Sequence, residues 1–315
     1  MHRRALIPWV LSLLLLAGAS CGGGREPHTL RIGVLPILDA LPMYVAREVG
    51  LFEEVGVDVE FIPAASAAER DQLIQTGKVD GIITDLVALA LYNRETPSVV
   101  GVRYAMTPSD GSPQFRIIAS RDADIAQPRE LIGVQIGVSE GTVIEYVTDR
   151  LLEAEGLAPS EIKTLGVPRI PERMALLRSG ELPAATLPEP LASLALQDGA
   201  VVVVDDTDHL DTSCSVYAFR QATLDRRPEA VRGFLEAVSQ ATLAINEDKG
   251  RWSGLLANQN LVPEPLMGSY QLPDYPVDKA PTKAQFTDAV DWLQANGRMS
   301  ETPSYDDVVD ASFLP

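Results

Sequence analysis

The chain has 315 residues, of which 46% are hydrophobic and 22% charged, with a formal net charge of −18 and two cysteines. Its length suits about two domains of ~150 residues and is ample for a core. The acidic balance argues against nucleic acid and against an anionic lipid surface as partners, because both demand clustered positive charge; it leaves the identity of a small ligand open.

Residues 1–20 read as an export signal. Arg3 and Arg4 supply the basic start, residues 7–17 the apolar stretch, and Gly18, Ala19 and Ser20 the small residues before position 21. The apolar stretch is too short for an ordinary membrane span. Cys21 follows in a pattern that resembles a bacterial lipoprotein cleavage site, although Gly18 stands where that pattern usually has Leu. Lipidation of Cys21 would hold the protein at a membrane without crossing it, with residues 22–29 as a flexible tether. Cys214, in the apolar context TSCSVYAF, would then be the only thiol left, so no internal disulfide is expected.

Residues 30–85 organise the rest. A buried strand at 30–35 leads through a turn with Pro36, Asp39 and Pro42 into a helix that stops near Gly50. A strand at 57–62 follows, then a helix capped by Ser66 and closed by Gly77, then a strand at 80–84 ending in Asp85. Strand and helix alternate, which predicts an α/β architecture with a mostly parallel sheet and ligands beyond the carboxyl ends of the strands. Further strands are expected at 99–104 and 115–120, separated by the turn-rich TPSDGSP, where the chain would leave a first lobe.

The second lobe is expected to hold strands at 134–138, 162–167, 182–187 and 200–204. Ser139 or Thr142 can cap the helix that follows the first of these, and its free N–H groups suit either a plain cap or a polar ligand group. Glu189, between Pro188 and Pro190, is either a ligand contact or an exposed turn acid. The run DDTDH at 205–209 lacks the glycine and distal glutamate of a calcium loop, and reads as solvated acids. A strand at 215–220 returns to the first lobe. An amphipathic helix then opens at Pro228 with Val231, Phe234, Leu235, Val238 and Ile245 on one face. Residues 262–281 are Pro-rich and read as loop packed on the first lobe, before a helix at 283–295.

No catalytic set stands out. Of three histidines, His2 and His28 fall in the signal and tether, leaving His209. No G-x-S-x-G, phosphate loop, dinucleotide fingerprint, paired-cysteine or HExxH pattern is present. The reading is therefore not an enzyme, with no cofactor and no metal.

Ala40, Pro42, Tyr44, Val45, Ala46, Gly50, Leu51, Phe52, Gly56, Val59, Gly77, Asp80, Gly81 and Asp85 stand in an order and spacing that resembles the solute-binding proteins of nitrate, sulfonate, taurine and thiamine-precursor importers. The resemblance extends from about residue 30 to the C-terminus. It implies a two-lobed periplasmic-binding-protein fold of type II, with residues 30–110 and 216–315 as lobe one and 111–215 as lobe two. It also implies an exported, monomeric protein that takes a small molecule into the interlobe cleft by hinge closure and delivers it to an ABC permease and its ATPase. Strand ends and family position together nominate Leu38, Asp39, Ala40, Ser66, Thr84 and Asp85 from lobe one. Ser139, Gly141, Thr142 and Glu189 come from lobe two, and Tyr104, Phe115 and Tyr217 would stack on a planar ligand.

The nominated lobe-one segments carry Asp39 and Asp85 but no Arg or Lys, which favours a nitrogenous or heteroaromatic ligand such as a pyrimidine, thiamine precursor or flavin-like compound. A sulfonate, taurine or nitrate remains the alternative, held by the Gly141 and Thr142 N–H groups or by Arg103 or Arg116. A ligand-sensing adaptor and a biosynthetic enzyme of the same fold are the other readings; the cysteine cluster of the thiamine-pyrimidine enzymes is absent.

Overall fold

In the computed structural model, residues 29–315 are described, so the signal, Cys21 and most of the tether lie outside the described residues. The first sheet begins with β1 (Leu30–Val34), β2 (Val59–Pro63), β3 (Gly81–Asp85) and β4 (Val99–Met106). The second holds β5 (Phe115–Ala119), β6 (Gln135–Val138), β7 (Lys163–Gly166), β8 (Ala184–Pro188) and β9 (Val201–Asp205). The chain returns to the first sheet as β10 (Ser215–Arg220). The strand orders are β2-β1-β3-β10-β4 and β7-β6-β8-β5-β9.

In each sheet four strands run one way and one is opposed: β10 is antiparallel to β3 and β4, and β5 to β8 and β9. The opposed strand in each case is the one that has just crossed from the other sheet. Both are flanked on two sides, and their apolar stretches, residues 117–119 of β5 and 216–219 of β10, are buried. Strand boundaries fall within a residue or two of those the sequence predicts, usually later, as at β3 and β8.

Asp206 bridges both crossings. Its side chain is completely buried. It accepts the N–H groups of Gln114 at 2.9 Å and Phe115 at 3.1 Å on the outgoing segment, and the Ser213 hydroxyl on the returning one. The expectation of solvated acids at 205–209 is corrected here, because the chain turns this one carboxylate inward to satisfy amides that neither sheet pairs.

A second connection comes from the helix Lys283–Ala295, started by a reciprocal cap between Thr282 and Gln285. Its Phe286, Val290 and Leu293 are buried, as the sequence stripe predicts. It packs on Leu86–Tyr92 of the first lobe and also reaches the second. Trp292 Nε1 donates to Asp149 at 2.7 Å, while Tyr146 and Arg150 hold Asp288 at 2.7 and 2.9 Å. The long helix Pro228–Glu247 covers the opposite face of the first sheet. There Phe234 stacks on Phe52 at 5.4 Å and meets Tyr217 and Phe219 edge-on.

Burial pushes Asp149 and Asp206 up to about 6; the Trp292 N–H opposes the shift at Asp149, and Ser213 opposes it at Asp206. An acid whose folded pKa is raised holds its proton in the folded state where the unfolded chain has lost it. Its stabilisation is complete below the ordinary value near 3.8 and is lost as pH rises through about 6. Each group then adds about 1 kcal/mol of stability on going from pH 7 to pH 5. Denaturant melts should therefore show greater stability at pH 5 than at pH 7, and Asp149→Asn should remove about half of the difference. A flat profile would show that these carboxylates are wetter than their surroundings indicate.

Candidate functional site

A cavity of about 940 Å³ opens between the lobes at the carboxyl ends of the strands. From the first lobe come the turn after β1, the start of the helix Ala67–Gln75 and the helix after β3. From the second come Ser139 to Ile144 after β6, and Pro168 to Pro171 after β7.

Each wall is set by a cap. Ser66 Oγ accepts the Glu69 N–H at 3.2 Å, and the Glu69 carboxylate takes the Ala65 N–H at 2.8 Å. One helical turn on, this places Arg70 facing inward and only 6% exposed. The Arg70 guanidinium bonds Asp71 at 2.9 Å, the Tyr92 hydroxyl at 3.3 Å and the Ile83 carbonyl at 3.4 Å. Burial works against its charge, but Tyr92, Asp71 and Asp85 outweigh that and raise its pKa. Asp85 closes β3 and caps the next helix by accepting the Ala88 N–H at 2.8 Å. Desolvation raises its pKa, opposed mainly by Arg70.

On the second lobe Thr142 caps the helix Val143–Ala154. Its hydroxyl accepts the Ile144 N–H at 3.2 Å and donates to the Ser139 carbonyl at 2.7 Å. The Gly141 N–H points at Glu145 Oε2, 2.5 Å away, and Arg298 holds the same oxygen at 2.9 Å. That amide is therefore engaged by the protein's own carboxylate, which favours the plain cap over a ligand anion at this position.

Behind Ser139 lies Arg173, fully buried on the helix Ile170–Ser179. It donates to the Val167 carbonyl at 2.8 and 3.0 Å, to the Thr186 carbonyl at 2.8 Å and to Ser139 Oγ at 2.5 Å. Ser139 in turn donates to the Pro168 carbonyl at 3.2 Å. Among the described residues no carboxylate pairs with Arg173, and burial pushes its pKa down to about 10, so it stays charged at neutral pH. Arg169, at the cavity rim, is exposed and likewise has no acidic partner among the described residues. The two walls thus differ in residual charge. Arg70 and Arg94 are paired with Asp71 and Glu95, leaving Asp85 on one side; Arg169 stands on the other, with the buried Arg173 behind Ser139 and off the cavity wall.

Six of the nominated residues line this cavity: Ser66, Asp85, Phe115, Ser139, Gly141 and Thr142. Glu189 instead lines a separate space of about 370 Å³ between the crossing segment, the helix Leu191–Gln197 and residues 266–273. It is paired there with Arg116 at 2.8 Å, so it is neither an exposed turn acid nor on the main cleft. The other six are set into the packing. Leu38 and Ala40 are core, and the Leu38 carbonyl accepts the Tyr275 hydroxyl. Asp39 accepts the Ser215 hydroxyl. Thr84 is 2% exposed. Tyr104 is buried and donates to Gln285, while Tyr217 lies between Arg103 and Phe234. Neither tyrosine faces the cavity, because on β4, at the edge of the sheet, and on β10, inside it, both faces of the strand are covered.

Sequence reasoning missed Arg70, Tyr92, Arg169 and Arg173. Arg70 carried a usable signal, since it sits four residues after its helix cap on the cap's own face. Arg103 is committed to Asp278 at 3.3 Å and Thr242 at 3.3 Å, and Arg116 to Glu189, so neither is a spare cation for the cleft.

Two five-stranded α/β lobes, joined by two crossings and facing each other across one cleft, define the two-lobed periplasmic-binding-protein fold. The aliphatic sulphonate-binding protein SsuA of Escherichia coli superposes with a TM-score of 0.76 at 19% identity, covering 90% of this chain and 92% of that one. The desulfurization enzyme DSZB also shares the fold, with a TM-score of 0.67 at 17% identity over 91% of this chain and 97% of its own. The chain belongs to the NMT1-like family, whose family model matches residues 23–253. The bicarbonate-binding protein CmpA of Synechococcus elongatus is 42% identical over 69 residues, 21% of this chain but only 15% of its own length.

Proposed function

We propose that this protein is the exported solute-binding component of an ABC importer, which captures a small polar compound in the interlobe cleft and presents it to a permease and its ATPase. The observation that carries this reading is the cavity of about 940 Å³ walled by strand ends of both lobes. A ligand there touches both walls only when they are close, so its binding favours the closed arrangement. SsuA and CmpA, by their names, bind a sulphonate and bicarbonate. DSZB shows that the fold alone does not exclude catalysis. What supports binding is that the cleft's polar groups are engaged in caps and ion pairs rather than in a nucleophile–base pair.

The charge layout refines the ligand class. A neutral heteroaromatic ligand fits Phe115 and Tyr92 but leaves Arg169, and the buried charge of Arg173 behind Ser139, unanswered. A compound with an anionic group toward lobe two and an amine or amide donor toward Asp85 answers both walls. Calorimetric titration of the chain from Gly22 onward should therefore rank taurine above ethanesulfonate, and both above an aminopyrimidine or riboflavin. Asp85→Asn should weaken taurine by about ten-fold and ethanesulfonate far less. Tightest binding of the pyrimidine would restore the heteroaromatic class, and turnover of any bound compound would replace the transport reading with an enzyme. Export and lipid anchoring at Cys21 belong to the same proposal, tested by the mass of the mature N-terminus.

A further inference from the structure

At the opposite end of the first sheet from the cleft lies a cavity of about 210 Å³ whose wall includes Arg31, Asp80, Arg220, Arg226 and Arg227. The topology assembles it. Ile32 pairs with Gly81, and Gly81 with Phe219, so Arg31, Asp80 and Arg220 emerge side by side from β1, the start of β3 and the end of β10. Asp80 is 3% exposed and already satisfied. It accepts the Arg31 N–H at 2.9 Å and Arg227 Nη2 at 2.5 Å, and it lies 3.5 Å from Arg31 Nε. Arg220 and Arg226 have no acidic partner among the described residues. Arg220 is held by packing alone. Gly77, at φ +69°, makes room for it, since a Cβ there would lie 2.7 Å from Arg220 Nη1. Four arginines thus line a cavity with one carboxylate, which Arg31 and Arg227 already hold, in a chain whose net charge is −18.

Guanidinium groups brought together without counter-charge repel one another, and their planar forks match the paired oxygens of a tetrahedral oxyanion. We propose that this cavity at the base of lobe one binds a phosphate-class oxyanion, through Arg220 and Arg226 with Arg31 and Arg227 behind them. The acidic composition argues against an anionic surface for the molecule as a whole, but this patch has the opposite sign. Two sources carry the chemistry: free phosphate, or the phosphate of a membrane lipid. Arg227 Nη1 donates to the Thr29 carbonyl at 2.7 Å, so the cavity sits where the chain enters the fold. A lipidated Cys21 would keep that point within roughly 30 Å of a bilayer, the extended reach of the residues between.

The test uses the chain from Gly22 onward, so that no anchor contributes; both sheets lie within it. Thermal unfolding in inorganic phosphate is compared with chloride at equal ionic strength, and co-sedimentation with phosphatidylglycerol vesicles is compared with phosphatidylcholine vesicles. For a free-anion site, phosphate raises the melting temperature by several degrees. The shift disappears in Arg220→Gln/Arg226→Gln and persists in Arg169→Gln, which alters only the cleft. For a lipid site, only phosphatidylglycerol vesicles retain the protein, and the same double variant loses at least ten-fold in partitioning. No response to either probe, or a response unchanged in the double variant, overturns the proposal. Cleft-ligand affinity in the double variant stays at the unmodified value, so failure here and failure of the transport reading are separable.

Discussion

Asp206→Ala should destabilise the protein by about 3–5 kcal/mol. The native carboxylate receives two backbone N–H groups and one hydroxyl in a fully buried setting. Alanine leaves all three without an acceptor, and each buried unsatisfied group costs about 1–3 kcal/mol, less where water can enter. The burial that raises the carboxyl's pKa to about 6 does not reverse this, because at pH 7 the three donors still face an anion. Asp206→Asn keeps one acceptor oxygen but turns an NH₂ toward a donor, so a loss of about 1–2 kcal/mol is expected. The lesion is placed where it should also be felt in binding. Gln114, Phe115 and Ser213 belong to the two segments that cross between lobes, and the Gln114 carbonyl accepts the Glu189 N–H at 2.8 Å. Urea titration measures the stability, and titration of the cleft ligand measures the hinge. A stability loss below about 1 kcal/mol for the alanine variant would mean that water replaces the carboxylate and that the crossings are held by the sheets alone.

The sequence made the framework legible because the framework is local. Apolar runs at β1, β4 and β5 need no partner to be recognised as buried strands, and Ser66, Asp85 and Thr142 each cap the helix that their type and position announce. The cleft was half legible for the same reason, since a strand followed by a cap places that cap at a carboxyl end. What failed depended on direction. Tyr104 and Tyr217 stand close to the crossings in sequence, yet a strand's two-residue period decides which face they take, and on β4 and β10 both faces are covered. Asp206 and Asp208 look alike in DDTDH; only the return of the chain past residues 114 and 213 separates the buried one from its neighbours. Arg173 is a further case. An arginine within IPERMALLRS reads as solvated surface, and nothing local reveals that three strand ends will need its donors.

Arg173→Gln should weaken the binding of an anionic cleft ligand by ten-fold or more while destabilising lobe two by about 2–4 kcal/mol. The stability loss follows from geometry. β6 pairs with β8 only through Ile136↔Ala184 and Gly137↔Ala185. Beyond that point the strands part, and the Arg173 fork occupies the gap, bonding Thr186 on β8, Val167 beyond β7 and Ser139 beyond β6. Gly137 leaves room for this packing, since a Cβ there would collide with Leu182 Cδ2 and lie 3.2 Å from Arg173 Cγ. Glutamine reaches at most part of this set and leaves buried carbonyls bare, although removing a desolvated charge returns some of the loss. The affinity loss follows from charge. A unit charge several ångström from an anion is worth roughly 1–2 kcal/mol at an effective dielectric near 20, which is about ten-fold or more. Arg173→Lys separates the two effects, because it keeps the charge and loses the fork. It should recover most of the anion affinity and little of the stability. Calorimetric titration with ethanesulfonate and with an uncharged pyrimidine, across the three proteins, reads the difference directly. If all three bind both probes in the same ratio, Arg173 acts only as a strut for Ser139, and the anionic end of the ligand must be assigned elsewhere in the cleft.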